Sequence, residues 1–248
     1  MYPEILHLYG PFSIHSYGLM IALGVIVFVW CANRHPLRKK YMSSDALMDL
    51  VIMGTGAAVV GGRLLYVITQ WHTFDQWYEI FNVWQGGLSL LGSVLACGIF
   101  APIYLWYRSI PMLPCLDLIG IHAPLLQGIS RIGCFLAGCC YGKSTNLDWP
   151  ELHPTQLYSA CILIMIFFFL RWIFKTQRVH QGQLFALYFM LSNAERFCVD
   201  FLRGDQEFYA HTFLRMISIH QWIALVFFSI GLVGFVFTTH TRAYSRPL

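Results

Sequence analysis

The chain has 248 residues, of which 57% are hydrophobic and only 11% are charged. Soluble domains carry about 25% charged residues, so this composition excludes an ordinary soluble domain and indicates an integral membrane protein. The net charge of +4 does not indicate nucleic-acid binding, because the basic residues stand at the ends of apolar segments and form no continuous face.

Seven apolar segments, each close to the ~20 residues that a helix needs to cross a bilayer, follow one another along the chain. We therefore predict an all-α integral membrane protein with seven transmembrane helices in a single polytopic domain, residues 1–248. No lysine or arginine precedes the first apolar segment, so we expect a retained anchor and no cleaved signal peptide. The predicted spans are Ile14–Ala32, Ala46–Thr69, Leu88–Trp106, Leu116–Cys139, Thr155–Phe174, Leu184–Leu202 and Trp222–Thr239.

Lysine and arginine are concentrated in every second loop, and such loops stay in the cytoplasm. They follow spans one, three, five and seven as Arg34, Arg38, Lys39, Lys40, Arg108, Arg171, Lys175, Arg178, Arg242 and Arg246. This predicts an N-terminus outside and a C-terminus in the cytoplasm. The predicted outer segments, near residues 70–87, 143–154 and 204–221, are longer and contain the aromatic residues that favour a membrane–water interface.

Polar residues of six predicted spans fall at one depth, toward the outer face. An arginine at the centre of a bilayer costs about 2.5–3.5 kcal/mol, so it faces a cavity or a partner. The deep arginines Arg63, Arg131 and Arg196 outnumber the acidic residues at this depth, and guanidinium groups suit phosphate. We therefore predict a site for a phospholipid head group. The other polar residues at this depth are Tyr17, Ser89, His153, Gln156, Asp200 and Arg203.

Structural interpretations of the same residues remain open at this point. Arg196, Asp200 and Arg203 share one helix face by their i, i+4, i+7 spacing, and Arg196 with Asp200 would also make an ion pair that locks helices. Arg63 would equally cap carbonyl groups. His153 precedes a proline at a helix start, where it either shapes the turn or accepts a proton.

Three cysteines, Cys134, Cys139 and Cys140, fall in one stretch with Arg131. Their spacing matches no usual zinc pattern, and vicinal cysteines bridge poorly. We expect them to be small residues of a helix interface, like the glycines at 128, 133, 138 and 142. No metal site and no cofactor are therefore expected.

Six motifs in order along the chain resemble those of the prolipoprotein diacylglyceryl transferase family of bacterial inner-membrane enzymes. They are H-S-Y-G-L-M at 15–20, G-G-R-L-L-Y-V at 61–67, W-Q-G-G-L-S at 84–89, S-R-I-G-C-F-L-A-G-C-C-Y-G at 130–142, H-P-T-Q-L-Y at 153–158 and E-R-F-C-V-D-F-L-R at 195–203.

The resemblance implies seven spans in the bacterial inner membrane, with the N-terminus and the active site on the periplasmic side. It implies transfer of the diacylglyceryl group of phosphatidylglycerol to the lipobox cysteine of prolipoprotein signal peptides. A thioether would form and glycerol phosphate would leave. The expected partners are this lipid, the lipobox peptide and the bilayer, with no nucleic acid.

The resemblance also implies roles for individual residues. Arg131 is identified with the signature arginine that binds the lipid phosphate, and Gly142 ends that signature. The expected catalytic residues are Arg131, Arg196, His153, Asp200 and Tyr17, with His153 or Asp200 as the base. The expected substrate-binding residues are Arg131, Arg203, Arg63, Gly142 and Gln156.

The chain departs from the usual signature at Cys134 and Ala137, which replace asparagine, and at Cys139, which replaces glutamate. Leu91 and Ser192 replace a histidine and a tyrosine. Two alternatives follow from these departures. One is a divergent paralogue that carries phospholipid, and the other is a membrane thiol oxidoreductase that uses the three cysteines.

Overall fold

The computed structural model describes residues 4–9, 12–74, 76–82, 86–145, 152–176, 179–204 and 217–244. Its helices are α1 Ser16–Arg34, α2 Pro36–Tyr41, α3 Ser44–Thr69, α4 Leu90–Tyr107, α5 Met112–Ala137, α6 Thr155–Thr176, α7 Gln183–Asp200 and α8 Ile219–Thr238. Two short 3-10 helices, Trp71–Thr73 and Trp77–Phe81, follow α3. Much of the predicted outer segments, at 146–151 and 205–216, lies outside the described residues.

Six of these helices are long and apolar enough to cross a membrane: α1, α3, α4, α5, α6 and α8. Large apolar side chains on them are exposed, such as Val60 at 68%, Trp106 at 83% and Phe237 at 71%. Lipid tails accept such surfaces, whereas water does not. The protein is therefore an integral membrane protein, as its composition predicted.

The helix α7 is the exception among the predicted spans. It has 18 residues, and Glu195, Arg196 and Asp200 place three charges within them. It is not among the six helices that qualify by length and composition in the described part of the chain. The sixth predicted span, the total of seven spans and the orientation of the termini therefore stay predictions.

Several predicted boundaries differ from those of the structure. The helix α5 begins four residues before the predicted Leu116, because Pro114 falls in its first turn, where a missing N–H is tolerated. It ends at Ala137 because Gly138 adopts φ 75°, so the prediction that the helix continues to Cys139 is wrong. A short antiparallel hairpin, β1 Glu4–Tyr9 with β2 Phe12–His15, precedes α1 and was not predicted.

The chain divides into two compact units, residues 36–115 and residues 1–35 with 116–248. In the first, α3 packs along α4, where the Ser93 hydroxyl donates to the Ala58 carbonyl at 2.8 Å. The Tyr104 hydroxyl donates to the Ala46 carbonyl at 3.2 Å in the same unit.

In the second unit, glycines on α5 bring three other helices close to it. A Cβ on Gly120 would lie 2.8 Å from the Phe185 backbone of α7, and one on Gly128 would lie 3.3 Å from the Ala160 carbonyl of α6. A Cβ on Gly133 would lie 2.9 Å from Met20 of α1. The prediction that Gly128 and Gly133 are helix-packing residues is confirmed, and α5 is the most buried of the six candidate spans.

Candidate functional site

A buried carboxylate with two arginines forms the centre of the candidate site at the end of α7. The Arg196 Nε lies 3.2 Å from the Asp200 Oδ1, and the Arg203 Nη1 lies 3.9 Å from the same oxygen. The Asp200 side chain is 0% exposed. The predicted pairing along one helix face is confirmed for Arg196 and Asp200, whereas Arg203 lies three residues beyond the end of α7. Asp200 holds the two guanidinium groups together.

Arg131 joins this cluster from α5. It is half-buried, and it makes no hydrogen bond or ion pair with any residue that the structure describes. It lies close enough to Glu195, Arg196 and Asp200 for its charge to act on them. Arg131, Arg196 and Arg203 thus lie around two carboxylates, which leaves one positive charge in surplus. The predicted surplus counted Arg63 in place of Arg203, and Arg63 belongs to the other compact unit.

The second carboxylate, Glu195, is buried and fixed by α6. The Ser159 hydroxyl donates a hydrogen bond to the Glu195 Oε1. Sequence reasoning did not select Ser159. The signal that would have found it is its position four residues after Thr155, which places both on one face of α6.

The chain leaving α5 is held between the start of α6 and the end of α7. The Gly142 N–H donates to the His153 carbonyl at 3.0 Å, and the Lys143 N–H donates to the Leu202 carbonyl at 2.8 Å. Gly142 also forms an isolated β-bridge with Arg203. A Cβ on Gly142 would lie 2.5 Å from the His153 carbonyl and 2.9 Å from the Leu202 carbonyl, so only glycine fits here. This junction brings His153 beside the arginine cluster.

Side chains at the start of α6 fix the turn after α5. The Gln156 Nε2 donates to the Cys139 carbonyl at 2.7 Å, and the Thr155 hydroxyl donates to the Cys140 carbonyl at 2.8 Å. Gln156 is buried. Its predicted contact with substrate stays a prediction, and its observed contact is with this turn.

The three cysteines are not the helix-packing residues that the sequence analysis expected. Cys139 and Cys140 lie beyond the end of α5, and their sulfur atoms lie within 4.8 Å of one another and of the Cys134 sulfur. A hydrogen bond from Cys134 lowers the pKa of the Cys140 thiol to about 5 against the effect of burial, and the charge of Arg203 adds to this lowering. Burial raises the pKa of the neighbouring Cys139 thiol, so the thiolate is favoured at Cys140 alone, mainly through the hydrogen bond from Cys134.

Two further predicted residues lie near this cluster. Tyr17, in the first turn of α1, is exposed and lies within electrostatic reach of Arg131 and the three cysteines. The His153 ring is half-buried, and its centre is 6.3 Å from that of Tyr158.

Arg63 belongs to the other compact unit, where its guanidinium binds backbone carbonyls. Its Nε donates to Ile80 at 2.8 Å, and its Nη2 donates to Glu79 at 2.7 Å. Its Nη1 donates to Gly86 at 2.9 Å and to Gly87 at 3.0 Å. The alternative in which Arg63 caps carbonyl groups is confirmed, and its predicted contact with substrate stays a prediction.

These features define a class of protein: a multi-pass membrane protein with a positively charged site beside α5 and α7. A family model described as prolipoprotein diacylglyceryl transferase matches residues 3–237. The chain belongs to this family.

Relatives of nearly the same length carry the name phosphatidylglycerol–prolipoprotein diacylglyceryl transferase. The protein of Clostridium tetani (strain Massachusetts / E88) is 34% identical over 248 residues, which cover 95% of this chain and 97% of the relative. The protein of Bordetella avium (strain 197N) is 30% identical, with coverage of 96% and 95%. The protein of Lactococcus lactis subsp. lactis (strain IL1403) is 29% identical, with coverage of 92% and 91%.

Proposed function

We propose that this protein is a phosphatidylglycerol–prolipoprotein diacylglyceryl transferase. It moves the diacylglyceryl group of phosphatidylglycerol onto a prolipoprotein cysteine thiol, forms a thioether and releases glycerol phosphate. The family match over residues 3–237 carries this proposal, together with relatives of that name that align over almost their whole length. These matches do not favour the phospholipid carrier or the thiol oxidoreductase.

The arginine cluster supports a phosphate site. Arg131 has no partner among the described residues, whereas Asp200 already engages Arg196 and Arg203. A guanidinium with free N–H groups binds a phosphodiester in a bidentate manner. Arg131 and Arg196 therefore hold the lipid phosphate, and they stabilise the charge that develops on the leaving glycerol phosphate.

The incoming cysteine has to lose its proton, because a thiolate is the nucleophile. Asp200 has a fully buried side chain between two arginines, which suits a positioning residue more than a proton acceptor. His153 is half-buried, lies at the junction with Gly142 and is free of such ion pairs in the described structure. We assign proton acceptance to His153. Tyr17 orients the lipid or the peptide from α1.

The same proposal covers the topology. With α7 as the sixth of seven spans, the distribution of basic loops favours the N-terminus and the arginine cluster on the periplasmic side of the bacterial inner membrane. The peptide substrate is then the lipobox of a prolipoprotein signal peptide. Gly142 and Gln156 shape the turn after α5, which borders the bound substrates.

The proposal is tested in a bacterial strain whose own transferase has been depleted. Expression of this chain restores the mass of a lipobox reporter protein carrying a diacylglyceryl thioether, measured by mass spectrometry. A reporter whose lipobox cysteine is replaced by serine is the control and stays unmodified. An unmodified cysteine reporter, with this chain present in the membrane, would contradict the proposal.

A further inference from the structure

The turn after α5 gathers three thiols that the proposed reaction does not use. The sulfur atoms of Cys134, Cys139 and Cys140 all lie within 4.8 Å of one another, and all three cysteines are free. Cys134 is buried, Cys140 is half-buried and Cys139 is exposed. The cluster is therefore buried at Cys134 and accessible to a ligand at Cys139.

The local backbone explains why residues five apart meet. The Cys139 N–H donates to the Cys134 carbonyl at 3.2 Å, and the Gly138 N–H donates to the Phe135 carbonyl at 3.2 Å. These two bonds form a Schellman motif, which requires a left-handed residue such as Gly138 at φ 75°. The motif folds Cys139 back over Cys134.

The third thiol is brought in by a less favourable conformation. Cys140 adopts φ 60°, a left-handed conformation that is unfavourable for a residue with a side chain. Hydrogen bonds from Thr155 and Gln156 to the carbonyls of Cys140 and Cys139 hold this turn from the side of α6. The thiols are therefore positioned by tertiary contacts from a second helix.

We propose that Cys134, Cys139 and Cys140 form a three-thiolate site for a soft, thiophilic metal ion such as Zn²⁺ or Cu⁺. Metal–sulfur bonds of about 2.3 Å place the sulfurs of such a site about 4 Å apart, whether it is trigonal or tetrahedral. Sulfurs within 4.8 Å of one another reach this spacing by small side-chain rotations. Thiolate ligands select soft ions over Mg²⁺ and Ca²⁺.

The charge balance of the site also favours a metal thiolate. All three cysteines are thiolates in the complex with one divalent ion, which leaves a single negative charge on the complex. Arg131 lies within electrostatic reach of Cys134 and Cys140, and Arg203 lies within reach of Cys140. These guanidinium groups compensate that charge. The proposal is independent of the transferase reaction.

Cadmium titration of the purified, reduced, full-length protein in detergent tests the site directly. The thiolate-to-cadmium charge-transfer absorption is expected to rise to one equivalent per chain. Cys134→Ser, Cys139→Ser and Cys140→Ser each remove one ligand. Each is expected to weaken binding at least about tenfold, since even second-shell losses cost about 10–100-fold.

Exposed cysteines elsewhere provide the matched controls. Cys161→Ser on α6 and Cys198→Ser on α7 are expected to bind cadmium like the wild type. A second measurement needs no variant: one equivalent of Cd²⁺ protects Cys139 and Cys140 from maleimide, as read by mass spectrometry, and leaves Cys161 reactive. Absence of the charge-transfer band, an unchanged band in the three ligand variants, or unprotected Cys139 would each overturn the proposal.

Discussion

At the scale of single residues, Arg131 is the side chain on which the proposed chemistry depends most directly. Loss of one preorganised charge donor costs about 10²–10³ in rate, so Arg131→Ala is expected to lower transfer at least about 100-fold. Arg131→Lys is expected to be intermediate, because it keeps the charge and loses the bidentate fork. Initial rates with purified protein, phosphatidylglycerol and a lipobox peptide measure this.

Arg108 is the matched control for that substitution. It pairs with Asp49 at 3.3 Å, and its side chain is 39% exposed. Surface pairs of this kind contribute about 0–1 kcal/mol, so Arg108→Ala is expected to leave the rate unchanged. Equal rates for Arg131→Ala and the wild type, or equal losses in the two variants, would contradict the role of Arg131.

Sequence spacing predicts side-chain partners within one helix but not partners on different segments of the chain. The Arg196–Asp200 pair follows from helical periodicity and was predicted, because both residues lie on one helix. The partners of Arg63 are carbonyls 16 to 24 residues away, in a short 3-10 helix and in the chain before α4, so no periodicity indicates them. Ser159 and Glu195 are 36 residues apart on different helices, and only tertiary packing joins them.

At the scale of the elements, the junction at Gly142 joins the ends of α5 and α7 to the start of α6. A methyl group there would lie 2.5 Å from the His153 carbonyl. Overpacking of this kind costs about 1–3 kcal/mol, so Gly142→Ala is expected to lower both the thermal midpoint in detergent and the transfer rate.

The control for Gly142 is a glycine with free space around it. A Cβ on Gly98 would meet nothing within 4 Å, so Gly98→Ala is expected to keep or raise the thermal midpoint. An unchanged midpoint and rate in Gly142→Ala would show that the junction is not as tight as described.

A second junction, around Asp117, joins α5 to the start of α7 and to the chain after α8. The buried Asp117 carboxylate accepts bonds from the Gly182 N–H at 2.6 Å, the Phe185 N–H at 2.9 Å and the Tyr244 hydroxyl at 2.7 Å. In Asp117→Asn, an NH₂ group replaces one carboxylate oxygen and cannot accept a hydrogen bond from these N–H and O–H donors. Losing one such charged hydrogen bond costs about 1.5–3 kcal/mol, so thermal unfolding in detergent is expected at a lower temperature.

The exposed Asp45 in the first turn of α3 is the control for Asp117. Asp45→Asn loses only a favourable interaction with the helix dipole, about 0.3–1 kcal/mol. A smaller loss of thermal stability in Asp117→Asn than in Asp45→Asn would contradict the role of Asp117 at this junction.

Element boundaries were less predictable than the elements themselves. The apolar sequence continues through Cys139 and Cys140, so the fourth span was predicted to end too late. For the same reason these cysteines were expected at a helix interface. The helix ends earlier because Gly138 closes a Schellman motif, which depends on backbone conformation and leaves apolar composition unchanged. The same misplacement hid the convergence of the three thiols.

At the scale of the whole molecule, the distribution of basic loops predicts the orientation. Fusions of alkaline phosphatase and of a fluorescent protein, placed in turn after residue 145 and at the C-terminus, measure it in cells. The phosphatase is expected to be active only after residue 145, and the fluorescent protein is expected to fold only at the C-terminus. The reverse pattern would contradict the proposed topology.

The amino-acid composition predicts that this protein lies in a membrane, but it does not predict how the helices are organised within it. The excess of apolar residues predicted a membrane protein because lipid accepts surfaces such as those of Trp106 and Phe237. It did not predict the division into two compact units, since hydropathy reports the preferred solvent of a segment and not its packing partner. The resemblance to a known family was a separate prediction, and the match over residues 3–237 confirmed the family.

Release of glycerol phosphate by the purified protein is the direct measure of diacylglyceryl transfer to the lipobox cysteine. The purified protein is given phosphatidylglycerol labelled in its head group, with a lipobox peptide whose cysteine is intact or replaced by alanine. Glycerol phosphate is expected to be released only with the intact cysteine, and this release is expected to be lost in Arg131→Ala. Release that does not depend on the peptide cysteine, or no release while the lipid remains bound, would contradict this expectation.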